Sequence, residues 1–326
     1  MNTPFAPPII LRNPHIQTIL TSLKPRKIIA GVRAAELLAN SREHILQCGD
    51  GVRLLGAYSC MDGPRQGLAT LIHGWEGSMD SSYILSAGAM LFRHGYDVFR
   101  LNLRDHGDSH HLNRSLFNST RLAEAANAIA EIHRLFPHER TFLTGFSLGG
   151  NFALRIGLQA PVAGIRLTAI AVICPLINPV AATSNLENNL PLYHRYFVKK
   201  WQKSLRKKLT LHPDLGYGDT LLRLNSLTAM HDYFVPRHTD YRTTYDYLSA
   251  YRLTGDMLAK MAIPTHIIAS DDDPITRKID IDRIGQPTPL ILTRTQYGGH
   301  CGYLKDLRLN SWADEQLLRV FSQACD

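Results

Sequence analysis

The sequence predicts an α/β fold: a mostly parallel, twisted sheet flanked by helices, with a helical lid inserted before the late core strands. Short β-branched runs alternate with helical periodicity through the middle of the chain, the pattern of parallel strands joined by crossover helices. One of these runs leads directly into Gly145-Phe146-Ser147-Leu148-Gly149 and then into a helix-forming stretch. Residues 176–258 carry helical patterns with no strand alternation.

Residues 1–40 contain Pro4, Pro7, Pro8 and Pro14 ahead of His15-Ile16-Gln17-Thr18-Ile19-Leu20, and are expected to form an arm packed on the core. Residues 43–47 and 52–59, separated by Gly49-Asp50-Gly51, read as a hairpin opening the sheet. Strands are predicted over 67–72, 97–102, 140–144, 168–173, 264–269 and 289–293, and helices over 83–94, 120–136, 151–159 and 311–323. The core is thus expected to comprise 41–175 and 259–326. An interruption as long as 176–258 between two core strands is commonly a cap over a site.

Composition narrows the class. The chain of 326 residues has an ordinary apolar fraction of 44%, enough for a sizeable core. Five cysteines (Cys48, Cys60, Cys174, Cys301 and Cys325) lack CxxC spacing and cannot all pair, which favours reduced thiols and a cytoplasmic setting. The N-terminal residues do not read as a signal peptide. The longest apolar run, 169–177, is broken by Pro175 and is too short to cross a bilayer.

The net charge of +8 is partly local. Between Arg195 and Lys208 lie seven Lys or Arg and no acid, while Phe197, Trp201, Leu205 and Leu209 recur on one helical face. This helix could rest on an anionic membrane surface; the preferred reading is a lid helix burying that stripe, with its lysines in solvent. No nucleic-acid recognition module accompanies the basic residues, so nucleic acid is not expected as a partner.

The chemistry is concentrated at loop positions. A Ser hydroxyl attacks carbonyls only when it stands clear of the backbone beside a base, and a turn tight enough to hold it there leaves no room for flanking side chains. Gly145 and Gly149 supply that room around Ser147. An orienting acid and a base should follow later strands; Ser270-Asp271-Asp272-Asp273-Pro274 and Gly298-Gly299-His300-Cys301-Gly302 stand there. Asp273 is preferred as the acid and Asp272 stays open, because neighbours on an extended loop point to opposite sides. For the oxyanion formed on attack, the backbone N–H groups of Trp75, in His73-Gly74-Trp75-Glu76-Gly77, and of Leu148 are the candidate donors.

His106, Asp108, His110 and His111 have the donor chemistry of a metal site, but a polar loop beside a pocket explains them without one, and no metal or cofactor is expected. His73 reads as a turn-fixing residue and Cys174 as a buried strand residue. A thiol mechanism at Cys301 is disfavoured, since residues adjacent in sequence to a base rarely face it.

Together, Asn13-Pro14-His15-Ile16-Gln17-Thr18-Ile19, His73 to Gly77 with Ser81-Ser82-Tyr83, Asn102-Leu103-Arg104, Gly145 to Asn151, Asp272-Asp273-Pro274 and Gly298 to Gly302 resemble the α/β-hydrolase superfamily over nearly the whole chain. Within it they resemble the YheT-like branch, related to the mammalian abhydrolase-domain lipid hydrolases. The resemblance implies Ser147 as nucleophile, Asp273 as orienting acid and His300 as base. It implies a serine esterase; the mechanism expected of these residues runs through an acyl-enzyme, and the Leu, Tyr and Phe residues of the lid suit a small-molecule acyl ester of medium or long chain as substrate. An amidase or thioesterase with the same triad, and a ligand-binding protein without catalysis on the same fold, are the alternatives.

Overall fold

A computed structural model describes residues 5–325, so Pro4 of the arm lies outside the described residues. Eight strands form one sheet: β1 (Ser41–Gln47), β2 (Arg53–Ser59), β3 (Gly67–Ile72), β4 (Tyr96–Leu101), β5 (Thr141–Phe146), β6 (Ala169–Ile173), β7 (Thr265–Ser270) and β8 (Leu290–Thr295). Their order is β1-β2-β4-β3-β5-β6-β7-β8, with β2 antiparallel to both β1 and β4 and every other pairing parallel. Strands β3, β4, β5, β6 and β7 are buried along their whole length, so β3, β5 and β6 read as largely apolar runs rather than alternating ones, while β4 also buries Asp97 and Arg100 and β7 buries Thr265 and His266.

The helices are α1 (Pro14–Leu20), α2 (Lys24–Arg33), α3 (Ala35–Ala39), α4 (Ser82–Arg93), α5 (Leu122–Leu135), α6 (Leu148–Gln159), α7 (Pro179–Asn189), α8 (Pro191–Leu211), α9 (Gly218–Leu221), α10 (Leu227–His238), α11 (Thr244–Ser249), α12 (Lys278–Ile281) and α13 (Trp312–Gln323). Apolar residues of α5 and α6, among them Ile129, Ile132 and Phe152, pack with one set of sheet residues. Those of α2, α3, α4 and α13, including Leu37, Phe92 and Phe321, pack with another. Each fully buried side chain of this size contributes roughly 1.5–3 kcal/mol against exposure.

The arm is helical. Asn13 caps α1 by accepting from the N–H groups of His15 and Ile16, and Pro14 starts the helix where no amide is needed. Gln17, fully buried, donates to the carbonyls of Leu11 and Leu304 and accepts from the Leu304 amide at 2.8 Å, tying α1 to the loop after β8.

Helices α7 to α11 lie between β6 and β7; α7 to α10 share a core with Tyr193, Leu205, Tyr217, Met230 and Phe234, joined by Leu116 and Ile275, while Tyr247 and Leu248 of α11 pack with the core of α5 and α6. Asn151 of α6 holds both ends of this segment, donating to the carbonyls of Leu176 and Tyr251, each at 2.8 Å. The expectation that the lysines of α8 all face solvent is corrected here. Lys208 is 1% exposed; its ammonium meets Asp105 at 2.7 Å and the carbonyls of His110 and Asn113. Lys207 reaches Asp108 at 2.6 Å and the Gly107 carbonyl at 2.9 Å. A buried ammonium is tolerated only with such a complete set of acceptors, so these residues pin α8 to the loop after β4.

Candidate active site

The turn between β5 and α6 is shaped by what cannot fit. A Cβ on Gly145 would lie 2.2 Å from the Gly149 carbonyl oxygen, and one on Gly149 would lie 2.3 Å from that of Ile72. The chain therefore passes through Ser147 at φ 53° and ψ −117°, a conformation L-residues adopt only when their surroundings impose it. The Ser147 amide donates to the Ile173 carbonyl and its own carbonyl accepts from Leu176, both at 3.0 Å, so neighbouring β6 locks the turn.

His300 stands in the loop after β8, with its Nε2 2.7 Å from the Ser147 Oγ and its Nδ1 2.8 Å from Asp273 Oδ2. Nδ1–H donates to the carboxylate, which leaves Nε2 to accept from the hydroxyl. Asp273, almost fully buried, also accepts from the amides of Ile275 and Thr276 at 2.7 and 2.9 Å, so its position is held by backbone. Asp272, left open by the sequence, faces away: its Oδ1 accepts from the Gly299 amide at 2.9 Å. The two acids thus divide the work of fixing the His300 ring and the His300 loop.

Around Trp75 the chain is equally constrained. His73 Nδ1–H donates to the Gly74 carbonyl at 2.7 Å and its Nε2 accepts from the Leu103 amide at 3.1 Å. Burial holds this imidazole neutral, its pKa well below the usual value, so it acts as the turn-fixing residue the sequence suggested. The Tyr83 hydroxyl accepts from the Gly74 amide at 3.0 Å. Among the described residues, no backbone acceptor takes the N–H of Trp75 or of Leu148.

A cavity of about 730 Å³ opens over Ser147 and His300, within the range of about 300–1,000 Å³ usual for small-molecule sites. Trp75, Tyr83, Leu176, Phe197 and Trp201 supply much of its apolar wall, and the turn Thr21 to Leu23 of the arm forms part of its edge. Trp75 stacks on Phe197, with ring centroids 5.2 Å apart, and meets Trp201 edge-on at 5.4 Å.

Two contributors escaped the sequence reading. Thr18 of α1 accepts from the His300 amide through its Oγ1 at 2.8 Å, across 282 positions of sequence; only the close approach of Gly299 to the Pro14 carbonyl allows it. Glu76 lines the cavity, and burial pushes its carboxyl from the ordinary 4.5 up to about 8 against the pull of Lys200. A carboxyl beside an apolar stretch is the signal that could have marked it.

The four candidate metal ligands do not converge. His106 bonds the Arg104 carbonyl, His110 meets Ser204 Oγ at 2.9 Å, and Asp108 pairs with Lys207. Among the described residues the one group of three or more such donors is Cys174, His300 and Cys301. Cys174 is buried, as expected, but follows β6 rather than lying in it.

A family profile describing the alpha/beta hydrolase fold matches residues 70–307. The chain is 26% identical to phospholipase ABHD3 of Bos taurus over 273 residues, which are 81% of this chain and 64% of the bovine protein, so it spans less than two thirds of that relative. It is 24% identical to YheT of Escherichia coli (strain K12), named as a candidate esterase, over 92% of this chain and 87% of the relative. Among solved structures, the esterase Pf2001 of Pyrococcus furiosus superposes with a TM-score of 0.58 at 13% identity, covering 91% of this chain and 94% of that one. With the profile spanning most of its length and the sheet order described above, this chain belongs to the α/β hydrolase fold family.

Proposed function

We propose that this protein is a serine hydrolase that cleaves carboxylic esters through an acyl-enzyme. The observation that carries the reading is the continuous relay from Ser147 Oγ through His300 to Asp273, with links of 2.7 and 2.8 Å. His300 takes the Ser147 proton as the hydroxyl attacks the ester carbonyl, and Asp273 stabilises the imidazolium that forms. The Trp75 and Leu148 amides hold the oxyanion, each donor of this kind contributing about 3 kcal/mol. Collapse expels the alcohol, protonated by His300; water activated by the same imidazole then releases the acid. No group beyond these side chains and amides is required, so no cofactor enters the scheme.

The substrate is proposed to carry a medium or long acyl chain. The aromatic and aliphatic cavity wall supports this, with α7 to α11 serving as the lid over residues 176–258. The names of the bovine and Escherichia coli relatives, a phospholipase and a candidate esterase, support ester chemistry. Contact with a membrane surface is proposed for the cavity rim rather than for the whole of α8, because Lys207 and Lys208 are occupied. Leu23, Leu192 and Tyr196 are exposed there beside Lys27, Lys200 and Lys203. No helix of the described residues is long and apolar enough to cross a membrane.

The test is hydrolysis of p-nitrophenyl esters from short to long acyl chains, with Ser147→Ala as control. Turnover lost in the variant and greatest at intermediate or long chains is the expected result. Turnover equal in both proteins would sink the reading.

A further inference from the structure

We propose that Cys174, His300 and Cys301 form a binding site for a soft divalent cation, zinc in the first instance, and that its occupation switches the hydrolase off. The inhibitory half rests on the esterase reading above; the binding half does not.

Their donor atoms, two Sγ and one ring nitrogen, all lie within 4.8 Å of one another. Tetrahedral zinc takes thiolate at about 2.3 Å and imidazole at about 2.0–2.1 Å, which separates its donors by about 3.4–3.8 Å. Shortening the widest gap by about 1.0–1.4 Å, shared between two side chains, closes the set on an ion. The three come from two loops flanking β7: Cys174 directly after β6, His300 and Cys301 after β8. Both cysteines sit at positive φ, 44° and 59°. Such strained backbone at both positions needs support from its surroundings.

Cys174 Sγ accepts from the Cys301 amide at 3.4 Å, and the remaining contacts of the two sulfurs are long. Cys174 Sγ approaches the Gly299 carbonyl at 3.6 Å and the Tyr303 hydroxyl at 3.9 Å; Cys301 Sγ approaches the Ile173 carbonyl at 3.6 Å. Neither cysteine is in a disulfide. His300 and Cys301 line the cavity, which gives an ion a route in and leaves a fourth position for water. Charge favours the complex: two thiolates, a neutral imidazole and a doubly charged cation sum to zero, which suits a buried place where lone charges are costly. Binding releases up to two thiol protons.

Inhibition follows from the use already made of the imidazole. Nδ1 serves Asp273 and Nε2 serves Ser147. An ion on either nitrogen breaks the relay.

The experiment uses the full chain, kept reduced with a phosphine. Cobalt(II) is added as a spectroscopic probe, and zinc is titrated against ester turnover and reversed with EDTA. The expected result is a thiolate-to-cobalt charge-transfer band, displaced by zinc and lost in Cys174→Ala and Cys301→Ala. Zinc inhibition should need at least tenfold more metal in Cys301→Ala, with Cys301→Ser as a second variant that keeps the side-chain volume. Absence of the band, or band and inhibition unchanged in both cysteine variants, overturns the site. If no ester is turned over, a band that depends on both cysteines still supports the site while the esterase reading fails.

Discussion

The indole of Trp75 lies flat on the ring of Phe197, the planes 11° from parallel. One ring belongs to the turn that carries a proposed oxyanion donor, the other to α8 of the helical segment. Movement of α8 is therefore felt directly at that amide.

Phe197→Ala should loosen this contact without unfolding the core. Aromatic pairs contribute about 0.5–1.5 kcal/mol beyond area burial, so kcat should fall roughly two- to tenfold. Steady-state kinetics with Phe197→Tyr, which restores the stack, as rescue would check it.

The two neighbouring acids should separate cleanly. Asp273→Asn leaves His300 without its charged partner and should lower kcat/KM by about 10⁴-fold, as in other triads. Asp272→Asn keeps an acceptor for the Gly299 amide and should cost less than about tenfold. Comparable losses in both would contradict the assignment.

Glu76 predicts a pH effect. Its folded pKa is raised above the unfolded value, so the folded state binds more protons and stability falls as pH rises from about 4.5 to about 8. Above pH 8 its negative charge beside the Trp75 turn should also oppose the developing oxyanion. Glu76→Gln removes both effects, and its Tm and kcat/KM, measured across pH 5 to 9, should gain on the wild type as pH rises; parallel curves would refute this.

Lys208→Met leaves Asp105 buried and unpaired. Removing one partner of a buried pair costs about 3–5 kcal/mol, measurable as a lower urea midpoint. Adding Asp105→Gly should recover part of it, because glycine accepts the φ of 57° at that position and removes the stranded charge.

Thr18→Ala should lower kcat by about two- to tenfold through the lost acceptor for the His300 amide. Thr18→Ser should restore it, and an unchanged KM would separate positioning of His300 from a change in substrate binding.

Much of the fold was legible because it rests on local signals. The run 67–72 is β3 to the residue, and the other strands differ from the prediction by one or two positions at their ends. The hairpin turn was readable from Gly49-Asp50-Gly51, and Gly145 and Gly149 marked a turn that only absent side chains permit. Ser147, Asp273 and His300, singled out by loop position, lie within hydrogen-bonding reach of one another. What escaped depends on long-range contact. The periodicity of α8 gives no sign that Lys208 turns inward, since its partner Asp105 is 103 residues away. The four polar residues 106, 108, 110 and 111 look like ligands in sequence, yet His106, Asp108 and His110 are each drawn to a different neighbour. The arm was expected to pack along the core, but nothing local announces that Thr18 reaches His300.

That last contact orders events in time as well as in space. On the ribosome, α1 emerges long before the His300 loop, and the hydroxyl of Thr18 has no amide to meet until 282 further residues have been added. Domains fold as units during synthesis, yet here α1 and the loop after β8 must meet to brace the imidazole. A nascent chain carrying the serine elbow would thus wait for its base, and the bracing of that base would come only once α1 and the loop after β8 had met.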